Sequence, residues 1–325
     1  MVKLSLIIPV SPSSERADLA KLLLSLVKQT YTDFEVLMVS GRTDLPDSYN
    51  DLRLKRLTTP HGWGASLSRN FAAEKSRGEI FGFLDDDVIL NFDWCEKAVE
   101  TFDDQSVGAC SGAARVDLSR FGVNYLPGSL LWVVGGCYWS STETIEVVGG
   151  AGMNFCVRRD VFALVGGYNE HLGPSGGRPE STASWMIPGA EESELALRVI
   201  KRAKRKVMFN PRMGVLHKLR RESVMPRGLI RRSLYVGHNR ALVSRIHPDI
   251  GQAGNYAVAG ALCNDIVHAL AGLPQHPKLS WKTLSFISIV CGAFSLGYTM
   301  GFLRFRAPVL NPPYRKGLEN YATHQ

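Results

Sequence analysis

The chain has 325 residues, 45% hydrophobic and 21% charged, with a net charge of +8 at pH 7. That length and apolar content bury a sizeable core and exclude an intrinsically disordered chain. The six cysteines, Cys95, Cys110, Cys137, Cys156, Cys263 and Cys291, form no C-x-x-C pair, so a zinc site and a disulfide framework are not expected and the thiols read as reduced packing residues.

Leu4 to Val10 (LSLIIPV) is a continuous apolar run, the pattern of a strand covered on both faces. With one Lys and an early Pro9, the first ten residues do not read as a secretory signal. Residues 15–29 carry a helical stripe at Leu19, Leu22, Leu23 and Leu26. Phe34 to Val39 predicts a second strand and Leu52 to Leu57 a weaker third. Residues 64–76 suit a helix with Leu67, Phe71 and Ala72 turned inward. Glu79 to Leu84 is the next strand, and it stops on Asp85, Asp86 and Asp87. This β-α-β-α-β rhythm predicts an α/β fold with an open, mostly parallel, twisted sheet and helices on both faces. Ligands of such sheets sit beyond the carboxyl ends of the strands, where the three acids lie.

Turn-rich stretches follow at 118–129 and 166–188, the second long enough to suggest a functional or mobile loop. A helix is expected from Glu191 to Arg202, then short strands at Val207–Phe209 and Gly214–His217. Arg198 to Arg245 holds fifteen Lys or Arg against one acid, Glu222. The bland reading is a solvated helix face, but the whole stretch favours an anionic partner. It holds no recognised binding module, so nucleic acid is not expected, and no G-x-G-x-x-G dinucleotide fingerprint occurs.

Thr283 to Leu303 is 21 residues without a charge, the length of a membrane span. Its Gly292, Gly297 and Gly301 suit close helix packing, and the alternative is a buried core helix. Residues 255–273 set an apolar stripe (Val258, Leu262, Ile266, Ala269, Leu270, Leu273) opposite Asn264, Asp265 and His268. An aspartate at the bilayer centre costs about 2.5–3.5 kcal/mol, so this segment reads as interfacial. A single span would place Arg304, Arg306, Arg315 and Lys316 across the membrane from a cytoplasmic catalytic part, against the positive-inside tendency. A re-entrant hairpin avoids that conflict. The expected division is 1–245 catalytic and 246–325 helical and membrane-associated.

Three adjacent carboxylates repel one another, and a hard cation such as Mg2+ or Mn2+ offsets the cost. Asp85 and Asp87 can offer it oxygens. Glu191 and Glu192 open a helix, where the dipole favours acids in any case, but a carboxylate there can also take a proton from a hydroxyl. His217 could ligate the metal or touch a phosphate. Arg69 and Asn70 could reach a phosphate or a base, or cap a helix face.

Taken together, the ordered motifs resemble the family 2 glycosyltransferases, whose fold is the GT-A nucleotide-sugar fold. The resemblance covers roughly residues 3–245. It rests on Ser5 to Val10, on Ser25 to Val36 (SLVKQTYTDFEV), and on Ser68-Arg69-Asn70 followed by Arg77-Gly78-Glu79. It continues through Phe83 to Asp87, Arg158-Arg159, Val165 to Glu170, Glu191 to Leu195 with Arg198, and Pro211 with His217. The resemblance implies that Pro9, Arg69, Asp85, Asp86 and Asp44 serve the nucleotide-sugar donor. Asp87, with Asp85 and His217, would serve the metal. Glu192 would be the general base, with Glu191 beside it. It implies an inverting displacement, metal-assisted, onto a glycan hydroxyl. The tail is similar to that of enzymes extending dolichyl- or undecaprenyl-linked glycans. This implies a lipid-linked or other glycan acceptor, a cytoplasmic-face location, and contacts from Arg220 and Arg221 to acceptor or phosphate. Arg231, Arg232 and the helix Ser233–Arg245 would lie against headgroups or the carrier phosphate.

Two departures stand out. The family's acids after the second strand are replaced by Ser40-Gly41-Arg42, leaving Asp44 or backbone groups to meet the base, and the usual Glu-Asp pair is Glu191-Glu192. Two other functions fit less of the chain: transfer directly onto a polyprenyl phosphate, and a non-catalytic binding protein of the same fold.

Overall fold

The computed structural model describes residues 2–304 except 51, 61–62, 124, 138, 140, 171, 173–189 and 250–252. Four strands, β1 (Leu4–Pro9), β2 (Phe34–Ser40), β3 (Leu54–Thr58) and β4 (Ile80–Leu84), pair in parallel in the order β3-β2-β1-β4. Helices α1 (Arg16–Val27) and α2 (Ala65–Lys75) belong to these crossovers. Every residue of β2 and β4 is buried, which is why both appear as near-continuous apolar runs.

Beyond β4 the sheet continues through β8 (Asn154–Arg158), β6 (Val107–Arg115), β9 (Lys206–His217) and β5 (Val88–Leu90), with β7 (Ile145–Glu146) also on β9. Only β5, β7 and β8 run against the common direction, so the nine-stranded sheet is open, mixed and mostly parallel. The remaining helices are α3 (Trp94–Thr101), α4 (Arg159–Val165), α5 (Glu191–Lys201), α6 (Arg221–Val224), α7 (Pro226–Ile246), α8 (Ala253–Ala271) and α9 (Pro277–Arg304).

Three expectations change here. The two strands expected at 207–209 and 214–217 are one, β9. Its register against β6 slips between Gly112 and Ala114, and Asn210 Oδ1 accepts the Arg212 N–H across the irregularity at Pro211. In α2, Leu67 and Phe71 are only half-buried, and the inward face is Ser66, Ser68, Arg69 and Asn70 with Ala72 and Ala73. The polar groups go inward because residues 168–172 satisfy them. Ser66 Oγ donates to the Leu172 carbonyl, Asn70 Nδ2 to the Tyr168 carbonyl, and the Tyr168 N–H to Asn70 Oδ1. Part of the basic run is also internal: Arg198 is fully buried against Glu194, while Lys201 pairs with Asp249 and Lys218 with Asp18 and Glu15.

The C-terminal helices fold back onto the preceding part of the chain. Pro277–Leu303 is long and apolar enough to cross a membrane. Yet Phe286, Ile287 and Val290 are buried in a cluster with Leu130, Val133, Val134 and Leu229. Further along, Gly297 and Gly301 lie directly on α7. A Cβ on Gly297 would stand 2.2 Å from the Leu234 carbonyl oxygen, whereas one on Gly292 would meet open space. In α8, Asp265 turns toward the protein and accepts the Ser129 N–H at 3.1 Å, while Leu270 of the apolar stripe is half-exposed. Most of the expected 166–188 loop, and the tail with Arg306, Arg315 and Lys316, lie outside the described residues.

Candidate active site

The three acids after β4 diverge. Asp86 Oδ2 accepts the Ser11 N–H at 2.6 Å, two residues past Pro9 at the end of β1. Burial pushes its carboxyl up to about 6; that N–H opposes the shift, and the neighbouring Asp87 and Asp85 charges add to it. Asp87 points the other way. The pairing of β5 with the end of β9 sets Val88 opposite His217, and Asp87 Oδ1 lies 3.3 Å from His217 Nε2. His217 Nδ1 lies 2.9 Å from the Gly135 carbonyl oxygen. A carbonyl only accepts, so Nδ1 carries its hydrogen and Nε2 faces the acids. Burial opposes charge on both side chains, but their hydrogen bond wins: the Asp87 carboxyl lies below its usual range and the His217 imidazolium above its own.

One ligand atom each from Asp85, Asp87 and His217 lie within 4.8 Å of one another. Two carboxylates and an imidazole whose free nitrogen is pre-aimed form a donor set that fits a divalent ion such as Mn2+ or Mg2+.

Facing this group, Glu191 and Glu192 open α5, with Ala190 in the left-handed region (φ 60°) making the entry turn. Arg69 from α2 joins the two sides. Its Nη1 donates to Glu192 Oε1 at 2.6 Å and Glu191 Oε1 at 3.2 Å, and its Nη2 to Asp85 Oδ1 at 3.1 Å. The guanidinium lies 5.2 Å from the centre of the Tyr168 ring. One cation thus serves three carboxylates. Burial, and then the Glu191 carboxylate, push Glu192 up to about 8 against the pull of Arg69. The site also needs a residue without a side chain at Gly152, where a Cβ would stand 2.3 Å from Glu192 Oε1.

Other expected residues sit elsewhere. Arg69 is pinned among the acids. Asp44 is held by Arg42 and Arg16, and its Arg42 hydrogen bonds keep its carboxyl well below the usual range. Arg220 lies near enough to Asp87 to help hold it ionised, and Arg221 is an exposed residue at the start of α6.

A cavity of about 590 Å³ opens from Arg69, Asp85, Glu191 and Glu192 and runs along α7 to α8 and α9. Arg232, Tyr235, Asn239 and Arg240 of α7 line it, and Trp132, Leu262, Val290 and Phe294 are among its apolar lining. Tyr235, Asn239 and Arg240 are expected from the sequence only as part of the helix Ser233–Arg245, not as cavity residues. Their signal was present in the helical spacing of 232, 235–236 and 239–240, which puts them on one face of α7.

Residues 5–162 match the family model described as Glycosyl transferase family 2. Over 288 residues the chain is 26% identical to a glucosyl-dolichyl phosphate glucuronosyltransferase of Haloferax volcanii, covering 86% of this chain and 90% of that protein. It also resembles the mannosyltransferase PcManGT of Pyrobaculum calidifontis, solved with GDP-Man and Mn2+. There the TM-score is 0.54 and the identity 16%, over 89% of this chain and 86% of that one. GalNAc-T7, solved with UDP, GalNAc and Mn2+, superposes with a TM-score of 0.51 at 15% identity, over 78% of this chain and 53% of that one.

Proposed function

Residues 5–162 form a family 2 glycosyltransferase domain on a GT-A fold and the protein is a glycosyltransferase; from that premise we propose that it moves a sugar, with inversion, from a nucleotide-sugar donor to a hydroxyl of a lipid-linked glycan acceptor at a membrane surface. The observation that carries this reading is the opposition, within one site, of the Asp85-Asp87-His217 group and the buried Glu192, at the mouth of a cavity leading to apolar helices. Asp85, Asp87 and His217 would hold a divalent ion, Mn2+ or Mg2+. When bound, such an ion supplies positive charge to a departing diphosphate.

The chain's own groups do the rest. Glu192 takes the proton of the acceptor hydroxyl as its oxygen bonds to the anomeric carbon. The opposite bond from that carbon to the diphosphate oxygen breaks, and the electron pair leaves with the nucleotide. Arg69 orients Glu192 and keeps it from swinging toward Asp85. Asp86, Ser11 and the end of β1 at Pro9 form the donor edge. There Arg42 occupies the place after β2, with Asp44 committed to it. The catalytic unit is residues 1–245 and the helical region from 246 onward carries the membrane contact, on the cytoplasmic face.

The test is to incubate the full chain with a panel of nucleotide sugars and lipid-linked glycans, with and without Mn2+, following nucleotide diphosphate release and glycolipid mass. A sugar-extended lipid product that needs Mn2+ and is lost in Asp87→Ala and Glu192→Gln is expected. Nucleotide release that survives both substitutions would remove the catalytic assignment.

A further inference from the structure

The cavity holds two positive charges that the proposed reaction has not used. Arg232 and Arg240 line it from α7. Arg232 is exposed and Arg240 half-buried. Among the described residues neither has a carboxylate within ion-pair distance. Three other cations around the site do: Arg69 pairs with three acids, Arg42 with Asp44, and Lys218 with Asp18 and Glu15. Arg232 stacks 5.2 Å from the centre of the Tyr235 ring. Burial and then the Glu191 charge push the Tyr235 phenol up, and Tyr235 lines the same cavity as Glu191 and Glu192.

Going the other way, the walls turn apolar. Trp132 packs edge-on against Phe294 with ring centres 6.0 Å apart, and Leu262 and Val290 belong to the same lining. The cavity lining therefore combines carboxylates, arginines without a carboxylate partner among the described residues, and apolar helix faces. The donor diphosphate has its own cation site at Asp85, Asp87 and His217, so a second anion in this cavity belongs to the acceptor. A water-soluble anion would leave the apolar end filled with poorly bonded water, whereas an amphiphile with its anionic group between a sugar and a hydrocarbon chain satisfies all three zones.

We propose that Arg232 and Arg240 grip the phosphate of a lipid phosphate-linked acceptor, whose hydrocarbon chain runs between Trp132, Leu262, Val290 and Phe294 toward the exposed side of α8 and α9. The inference rests on the transferase reading above and names its acceptor subsite. It places the phosphate on α7 and leaves Arg220 and Arg221 on the donor side.

Farnesyl phosphate, farnesol and inorganic phosphate can be titrated separately into the full chain held in discs of neutral lipid, with the fluorescence of Trp132 and Trp139 in the cavity wall as the readout. Farnesyl phosphate is expected to bind best, and Arg232→Gln and Arg240→Gln each to weaken it about tenfold or more, the loss of one charge-assisted hydrogen bond. Farnesol should be indifferent to both substitutions. Leu262→Trp, which narrows the apolar end, should block farnesyl phosphate. Mn2+-dependent binding of nucleoside diphosphate, measured on the same variants, should stay unchanged and certifies that they are folded. Equal binding of farnesol and farnesyl phosphate would overturn the proposal, as would loss of nucleoside diphosphate binding in the two arginine variants. Saturation by inorganic phosphate alone would overturn the lipid part. Failure of the transferase reading would show differently, as no sugar transfer from any donor despite intact farnesyl phosphate binding.

Discussion

At Glu192 burial and charge oppose each other. The carboxyl touches Arg69 at 2.6 Å, yet that guanidinium is shared with Glu191 and Asp85. One positive charge cannot neutralise three acids in a buried space, so burial and Glu191 raise Glu192 to about 8. A general base acts deprotonated, so kcat/KM should climb with pH on a limb lying above the ordinary carboxylate range. Glu192→Gln should lower transfer by about 10²–10⁴-fold and abolish that limb. A limb that persists in the variant would assign it to another group. Stability has the opposite sign. A folded-state pKa raised above the unfolded value gives a contribution that is complete below the ordinary carboxylate range and is lost as pH rises through about 8. Glu192→Gln is therefore expected to raise Tm at alkaline pH and change it little in acid, as thermal melts across pH would show. On the other side of the cleft, His217→Gln removes the proposed ligand nitrogen, already aimed by Gly135. Mn2+ affinity, read from the electron paramagnetic resonance of free Mn2+, should fall by more than the about 10–100-fold typical of losing an outer-shell partner. Unchanged affinity would take His217 out of the metal set.

Among the elements, helix packing gives a matched pair of glycines. Gly297 sits against the Leu234 carbonyl, and Gly292, five residues earlier on the same helix, faces open space. Gly297→Ala should cost about 1–3 kcal/mol by overpacking the α7–α9 contact. Gly292→Ala should be neutral or stabilise by about 0.5–1 kcal/mol through helix propensity alone. Equal shifts in thermal melts would mean that α9 does not rest on α7. The contrast also shows what a sequence can and cannot reveal about elements. β1, β2 and β4 are legible because burial on both faces leaves an uninterrupted apolar run, and the acids after β4 mark its exposed end. The inward face of α2 is not legible. Its Ser66, Arg69 and Asn70 turn inward only because partners at 168, 172, 191 and 192 arrive from 98 to 123 residues away. The same reasoning covers the cavity: α7 shows a basic face in sequence, but which arginines line the cavity depends on where α9 lands.

At the scale of the whole molecule, the disposition of α9 bears on how the enzyme meets a bilayer. A helix that spans alone exposes its whole circumference to lipid. Here one face is covered from Phe286 through Gly301, first by the cluster around Leu130 and Val133, then by α7. Crossing the membrane would draw Arg231, Arg232, Arg240 and Arg245 of α7 in with it, at about 2.5–3.5 kcal/mol for each arginine near the centre. The opposite face suits shallow immersion. Trp281, Ile289, Leu296, Met300 and Leu303 are exposed there. The intervening hydroxyls of Ser288 and Thr299 donate back to the Leu284 and Ser295 carbonyls, so they need no water. Lys278 and Lys282 remain exposed near its start, placed for anionic headgroups. The helix is therefore expected to lie along the leaflet with its apolar stripe down, so that the proposed acceptor cavity opens at lipid depth. Spin labels introduced one at a time at Ile289→Cys, Leu296→Cys and Met300→Cys, with Cys263 and Cys291 replaced by alanine, measure this directly. An in-plane helix predicts similar immersion depths at all three positions, whereas a span predicts a steady progression across the bilayer, and that progression would rule out the in-plane arrangement.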